Sequence, residues 1–527
     1  MENQAKKSPF NFKLNHIVFW PPFAFLVLVV ALSFINQEAF ASGTKSAVMW
    51  LINSLGWSIG LTITVLLAVA LILIIHPAGK RKLGGPDAVP RFKSWSWFGM
   101  VLCSSIAIGV VFWGVAEPMT HFATTSKDWG MEPFSRDAAV KAMAQTNLEW
   151  AGQYVLYAIF AVVVGLACFN YGQPMMISSF MFFAKGRPLS AAARHTVDIL
   201  CVIAIVSGVA CSLGTGTMQV TAGLNQLLGV PINKITWLIV IIAIVVAFVG
   251  TSYSGISKGI KWLGEQNLNL FLIVLGIIFL LGPSLYVLNL MVESSAYMVQ
   301  NFLVDLNYTG YLDGKDWPVF WPMWLYVSCA AFAPMVGMFM ATISYGRSIR
   351  EVIIGCGLLP GLFNLVWFNV FGGTAFKMQI DGEFDIWGKI QTLGLESAMF
   401  EFFASFPFGG ILVYVFLVVI FISFVTLANA VTTSVSIITT DTSTDILGRG
   451  EPSGLVKIAW GALMGVTAYI FISFSGIEGA KMAALIGGFP ILLMTLFVAF
   501  CICRVLFGKT NAEEKFASDE LKSEVGG

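Results

Sequence analysis

The chain is 527 residues long, 57% hydrophobic and only 11% charged, with a formal net charge of +1 and a mean hydropathy of +0.82. Soluble domains carry about 25% charged residues, so a soluble fold is excluded, and so balanced a charge implies no nucleic-acid partner. An integral membrane protein is left.

The opening MENQAKKSPFNFKLNH lacks the short apolar core and small-residue cleavage site of a signal peptide, so the first apolar run is expected to stay as a span. Polar breaks divide the chain into about twelve apolar spans of roughly 20 residues, the length a bilayer requires. Their centres fall near residues 26, 62, 107, 158, 209, 243, 278, 331, 362, 418, 466 and 491. With the N-terminus in the cytoplasm, 21 of the 30 Lys and Arg lie on inside loops and the other nine on outside loops. The positive-inside rule therefore predicts a multi-pass protein of the cytoplasmic (inner) membrane with both termini cytoplasmic.

All eight cysteines (Cys103, Cys168, Cys201, Cys211, Cys329, Cys356, Cys501 and Cys503) lie in apolar stretches. Only the weak pair Cys501 and Cys503 approaches metal-ligand spacing, so they read as small buried hydrophobes, and neither a metal nor a cofactor is expected.

The third span reads CSSIAIGVVFWGVAEP over residues 103–118. Small residues at Ser104, Ser105, Ala107, Gly109 and Gly114 let backbones approach, either for plain helix packing or so that a helix can unwind around an ion or substrate. Glu117 and Pro118 close the motif, as an interfacial cap or as part of a site. In the fourth span Glu149 stands beside Trp150, with Tyr154 and Tyr157 one and two turns on. A carboxylate at mid-membrane costs about 2.5–3.5 kcal/mol and faces a cavity or a partner; near the interface it costs little.

Residues 291–316 and 375–407 are long outside loops, the second with a surface helix near 382–405 expected over the entrance. The eighth span opens with Trp317, Trp321 and Trp324 at helical spacing, carries Pro318, Pro322 and Pro334, and ends at Arg347 and Arg350. Tryptophan faces attract cations by up to about 2 kcal/mol when desolvated, and prolines leave carbonyls that a cavity or neighbouring protein must satisfy. A pocket for a small cation is one reading, interfacial tryptophan with packing kinks the other. In the tenth span Thr426, Asn429, Thr432 and Thr433 could bind a cation or bond their own backbone. The tail after Phe507 is mixed in charge and reads as a solvated helix end.

Together these segments resemble the betaine/choline/carnitine transporter family over roughly residues 15–505. The most specific match is PMVGMFMATISYGRSIREVIIGCGLLP at 334–360, similar to that family's proline-marked eighth helix and basic turn. GVVFWGVAEP at 109–118, AGLNQLLGVP at 222–231 and SGISKGIKWLGEQN at 254–267 also fit. The resemblance implies an all-α membrane protein of 12 transmembrane helices with the sodium/leucine-transporter architecture. Two extra helices and a loop (16–95) follow a tail (1–15). They precede one five-helix repeat (96–290), the loop 291–316, an inverted second repeat (317–505) and a cytoplasmic tail (506–527). Substrate would bind at mid-membrane where the first helix of each repeat is broken, and rocking of the bundle would give alternating access. The resemblance further implies a homotrimer, a small-molecule substrate, and a sodium ion, a proton or a counter-substrate as coupling partner.

Carried over residue by residue, the family's eighth-helix tryptophan cluster falls on Trp321, Tyr326, Ser328, Cys329 and Phe332, of which Ser328 and Cys329 are no longer aromatic. Trp150, Tyr154 and Tyr157 match its fourth-helix aromatics, while Glu149 stands where histidine is common. With Trp324 and with Ser105, Ala107 and Gly109 on the third span, these are the expected substrate residues. Ser105, Ala107 and Gly109 also align with a run of alternating glycines in the sodium-coupled branch, so two of the three are replaced. The tenth-helix Thr-Ser pair becomes Thr426-Leu427, and the acid that follows becomes Asn429. Met335 matches the sodium-independent carnitine branch, but Asn267 stands where that branch has an arginine. Cys103, Ile106, Thr426, Asn429 and Met335 are the expected ion-coupling residues.

The expectation is therefore a secondary carrier of a quaternary-ammonium or related zwitterion, with proton coupling or exchange favoured over conventional sodium coupling. A less methylated amine, an amino acid or a related osmolyte bonded to Glu149 is the alternative substrate. A channel would need a pore lined along its length, which Pro- and Gly-broken helices do not favour. An enzyme would need a catalytic constellation, and the four histidines (His16, His76, His121 and His195) all lie near span ends.

Overall fold

The computed structural model describes residues 14–105, 109–187, 189–252, 256–440 and 454–508, with the main chain alone at 249–252, 256–261, 429, 430 and 475. Among these residues the chain is helical almost throughout. Ten helices are long and apolar enough to cross a membrane, or eleven when the bent pair Ser94–Ser105 and Gly109–Asp128 counts as one span. Every expected centre but one falls on these spans. The remaining centre, near 243, falls on the apolar helix Lys234–Ser252, whose side chains are described only as far as Phe248, so a twelfth span is not established among the described residues.

Two expectations about the connections change. The segment beginning at residue 291 is not a loop at first, because helix Ser284–Leu306 starts after the Gly282-Pro283 break and runs to Leu306. Near 382–405 the chain forms two short helices, Ile386–Leu393 and Ala398–Ala404, joined by a 3-10 turn, and the second is buried rather than lying on the surface. Asp385 caps the first by accepting the Gly388 N–H at 3.0 Å and the Gln379 amide at 3.0 Å. These bonds hold its carboxyl below the usual carboxylate range.

The centre of the molecule is made by the fourth and eighth spans. The fourth, Arg136–Asn170, is buried along its whole apolar window, and the eighth, Val319–Ile343, along 89% of it. Both lie inside a ring of helices whose outer faces carry exposed apolar side chains, such as Leu238, Ile239 and Val246. The last two spans, Gly454–Phe474 and Gly476–Phe507, meet at Gly476, whose φ of 56° is one that glycine adopts without strain.

Two polar knots fix the central helices in rotation. In the fourth span Asn147 accepts from the Asn369 amide at 3.2 Å and donates to Ser294 Oγ at 3.5 Å. Between the third, seventh and tenth spans, Asn267 donates to Ser423 Oγ at 3.0 Å and to Cys103 Sγ at 3.6 Å. A basic turn secures the far end of the eighth span. There the Gly346 N–H bonds the Leu83 carbonyl, the Ile349 N–H bonds that of Arg81, and the Arg347 guanidinium lies 3.9 Å from the Trp97 ring centre.

Candidate functional site

The third span bends by 58° between Ser105 and Gly109. Ile106 and Ala107, both singled out from the sequence, lie outside the described residues. Ser104 and Ser105 turn their hydroxyls back onto the Val101 carbonyl at 2.9 and 2.7 Å. Gly109 is small for a reason: a Cβ there would come within 2.5 Å of the Trp150 ring. The expectation that the eighth span is broken in the same way is not met. It passes from a π-turn at Val319–Met323 into an unbroken α-helix, Trp324–Ile343, with Pro334 inside it.

Beside the bend lies a cavity of about 80 Å³, several times the space one water needs. The third span lines it with Ser104, Ser105, Gly109 and Trp113, and the fourth with Trp150, Gln153 and Tyr157. The eighth contributes Trp324, Leu325, Ser328, Cys329, Phe332 and Val336, mostly one stripe at helical spacing. The fifth span adds Cys211, Ser212 and Thr215, and the tenth adds Leu427. Cys329 is hydrogen-bonded to Gln153 across the cavity. The Trp324 indole N–H and the Ser328 hydroxyl are buried without a partner. Each such group costs about 1–3 kcal/mol unless something bonds it.

Other expected residues face elsewhere. The Tyr154 hydroxyl meets the Asn364 amide at 2.5 Å, and Tyr326 donates to the Leu148 carbonyl at 3.4 Å, so neither lines the cavity. Among the expected ion ligands, Thr426 spends its hydroxyl proton on the Ile422 carbonyl at 2.8 Å. Thr432 does the same with Ala428 at 2.8 Å, whereas Thr433 Oγ1 is buried with no hydrogen-bond partner. Cys103 belongs to the Asn267–Ser423 knot, Met335 is buried, and the Asn429 side chain lies outside the described residues.

Glu149 is fully buried but does not line the cavity. It accepts from the Gln145 amide at 2.8 Å and lies 3.5 Å from His121 Nε2. Glu117, at the end of the third-span motif, takes the Trp150 indole N–H on both oxygens at 2.9 Å. A carboxylate oxygen from each of Glu117 and Glu149 and a ring nitrogen of His121 lie within 4.8 Å of one another. All three residues are 0% exposed.

Lys481 was among the nine cations expected on outside loops, yet it is 2% exposed. Its ammonium lies 4.3, 4.5 and 5.1 Å from the ring centres of Trp321, Trp324 and Trp113, and donates to the Phe320 carbonyl at 3.0 Å. The tryptophan box read from the eighth span is thus filled by a cation of the chain itself. Trp113 stands in a quoted motif but was not singled out, and the Cys211 to Thr215 patch of the fifth span carried no signal beyond small size.

The sequence model of the betaine/carnitine/choline family of transporters matches residues 17–511. The glycine betaine transporter OpuD of Bacillus subtilis is 30% identical over 491 residues, covering 92% of this chain and 93% of that protein. An ectoine/hydroxyectoine transporter of Virgibacillus pantothenticus is 29% identical over 504 residues, covering 95% and 98%. A glycine betaine/proline/choline transporter of Vibrio parahaemolyticus is 28% identical over 537 residues, covering 97% and 93%. Among solved structures, a sodium-coupled sialic acid symporter in a substrate-bound outward-open state aligns with a TM-score of 0.44 at 13% identity, covering 86% of this chain and 99% of that one.

Proposed function

We propose, for a chain that belongs to the betaine/carnitine/choline transporter family and is a secondary carrier of a small solute rather than an enzyme, that its cargo is a small zwitterion with a quaternary or highly substituted ammonium. The observation that carries this reading is the cavity wall. It offers the aromatic rings of Trp150, Tyr157 and Phe332, and among the described residues no carboxylate lines it. Aromatic faces hold an ammonium that has no N–H to donate, whereas a primary amine would leave hydrogen-bond donors to be satisfied. The unpartnered Trp324 N–H and Ser328 hydroxyl supply donors for a carboxylate at the other end. Lys481 keeps the substrate ammonium out of the outer tryptophan box. Two relatives are named as carriers of glycine betaine and one as a carrier of ectoine and hydroxyectoine. Because Glu149 accepts from Gln145, lies 3.5 Å from His121 and does not line the cavity, recognition of a less methylated amine by Glu149 is the weaker reading.

Coupling to protons or to a counter-substrate is favoured over conventional sodium coupling. Cys103, Asn267 and Ser423 satisfy one another, and Leu427 stands where a hydroxyl ligand was expected. The same reading takes residues 96–290 and 317–505 as two inverted repeats, with both termini on the cytoplasmic side of the inner membrane and three copies in the assembly. The test is uptake of labelled glycine betaine, ectoine, choline and carnitine into proteoliposomes under sodium gradients, proton gradients of either sense, no gradient, or internal substrate. Saturable uptake of a zwitterion driven by protons or internal substrate is expected. Uptake that requires sodium overturns the coupling reading, and a preference for choline over every zwitterion overturns the substrate reading.

A further inference from the structure

We propose that Glu117 and Glu149 form one proton-binding site behind the cavity wall, and that a proton there competes with the substrate ammonium through Trp150. The proposal rests on the aromatic ammonium site described above and adds the residues and the sign of the coupling.

Two fully buried carboxyl groups this close do not ionise independently, because like charges in a poorly solvated interior repel strongly. Lys481 is the positive charge that acts on both. Within the buried set, Glu117 and Glu149 against Lys481 leave one negative charge over, and a single proton restores neutrality; Glu478, which also acts on Lys481, is exposed and stands outside that set. The site has room to handle that proton. Glu149 Oε2 and His121 Nε2 are both buried without a hydrogen-bond partner, while His121 Nδ1 is engaged by Thr125 Oγ1 at 3.0 Å. The other titratable groups facing the pair are the Tyr154 hydroxyl from the fourth span and the Tyr326 hydroxyl from the eighth. Glu478 and Cys211 act on Lys481.

Trp150 carries the coupling. Its indole N–H is shared between the two oxygens of Glu117, and its ring lines the cavity. An ionised Glu117 draws on that N–H and makes the ring face more negative, so the ring holds an ammonium more tightly. A neutral Glu117 does the opposite. Linkage is reciprocal, so a bound ammonium loosens the proton by the same factor by which the proton loosens the ammonium. Substrate and proton then exchange for each other instead of travelling together, and substrate-for-substrate exchange needs no net proton movement.

The test is equilibrium binding of labelled glycine betaine to the purified full-length protein across acid and alkaline buffers, for the native chain and for Glu117→Gln, Glu149→Gln and Trp150→Phe. The native affinity should weaken on acidification, approaching about tenfold per pH unit where one proton competes. The slope should vanish in Glu117→Gln and shrink in Trp150→Phe, which keeps an aromatic face but lacks the N–H. A native affinity independent of pH, or one that strengthens in acid, overturns the proposal. So does a Glu117→Gln protein that keeps the native slope. Infrared titration of the protonated carboxyl C=O band in the unliganded protein reads the site without substrate. A band that titrates and is lost in both glutamine variants supports the shared proton, and its absence from the native protein overturns it. Should glycine betaine not bind at any pH, the substrate reading fails and the infrared band still decides the proton site.

Discussion

The third and eighth spans face each other across the cavity and are built on opposite plans. The third bends by 58° between Ser94–Ser105 and Gly109–Asp128, with Ser104, Ser105 and Gly109 around the bend. The eighth runs unbroken through Pro334 and is buried along 89% of its apolar window. Proline lacks an N–H to donate, but a proline inside a packed bundle need not break its helix, since neighbours constrain the chain and re-satisfy its carbonyl. Small side chains have the larger effect here, because they let a bulky partner occupy the space beside the helix. The third span is the bent side of the cavity and the eighth the fixed wall.

The sharpest way to break this contrast is Gly109→Val. Its side chain would occupy the volume of the Trp150 ring, so Trp150 must leave both Glu117 and the cavity. Uptake should fall by tenfold or more, on the order of the loss of a buried charge-assisted hydrogen bond, in protein that still inserts and assembles. Native-like uptake would show that the bend opens far enough to absorb the new side chain.

Gly337→Val tests the fixed wall. A Cβ there would meet the Phe160 Cβ at 2.3 Å and the main chain at Ala161 N and Tyr157 O at 3.1 Å each. Overpacking of about 1–3 kcal/mol is expected, read as a lower melting midpoint in detergent. An unchanged midpoint would mean that the fourth and eighth spans separate more easily than their packing indicates.

Trp324→Phe and Ser328→Ala remove the two unpartnered donors while leaving the wall apolar. Each should weaken zwitterion affinity by about tenfold, the lower end of what one hydrogen bond to a carboxylate is worth. Choline, which has no carboxylate, should change less, and equal losses for both ligands would place the carboxylate elsewhere. The smallest effect is expected from Thr426→Ala. Its hydroxyl proton is already spent on Ile422, so uptake and its sodium dependence should stay close to native, whereas a lost sodium response would return Thr426 to the ion site.

The amino-acid sequence by itself determined that this is a helical membrane protein, where most of its spans lie and which family it belongs to, and it singled out Gly109, Trp150, Tyr157, Trp324, Ser328, Cys329 and Phe332, which line one cavity. Length, hydropathy and local motifs carry that information, because a bilayer demands long apolar helices and a close backbone approach demands small residues. Helical spacing did not reveal which way each side chain turns. Tyr154 and Tyr326 share their helices with cavity residues but bond Asn364 and Leu148 instead. Lys481 counted as a loop cation because only the fold brings Trp113, Trp321 and Trp324 around it from two distant helices. Glu117 and Glu149 are separated in the chain by a loop and most of a helix, so neither one alone reveals a pair. Tertiary packing made them one buried group with His121 and joined that group to the cavity through a single indole N–H. The physical reason is that charge balance in a low-dielectric interior depends on distances between helices, which local sequence does not encode.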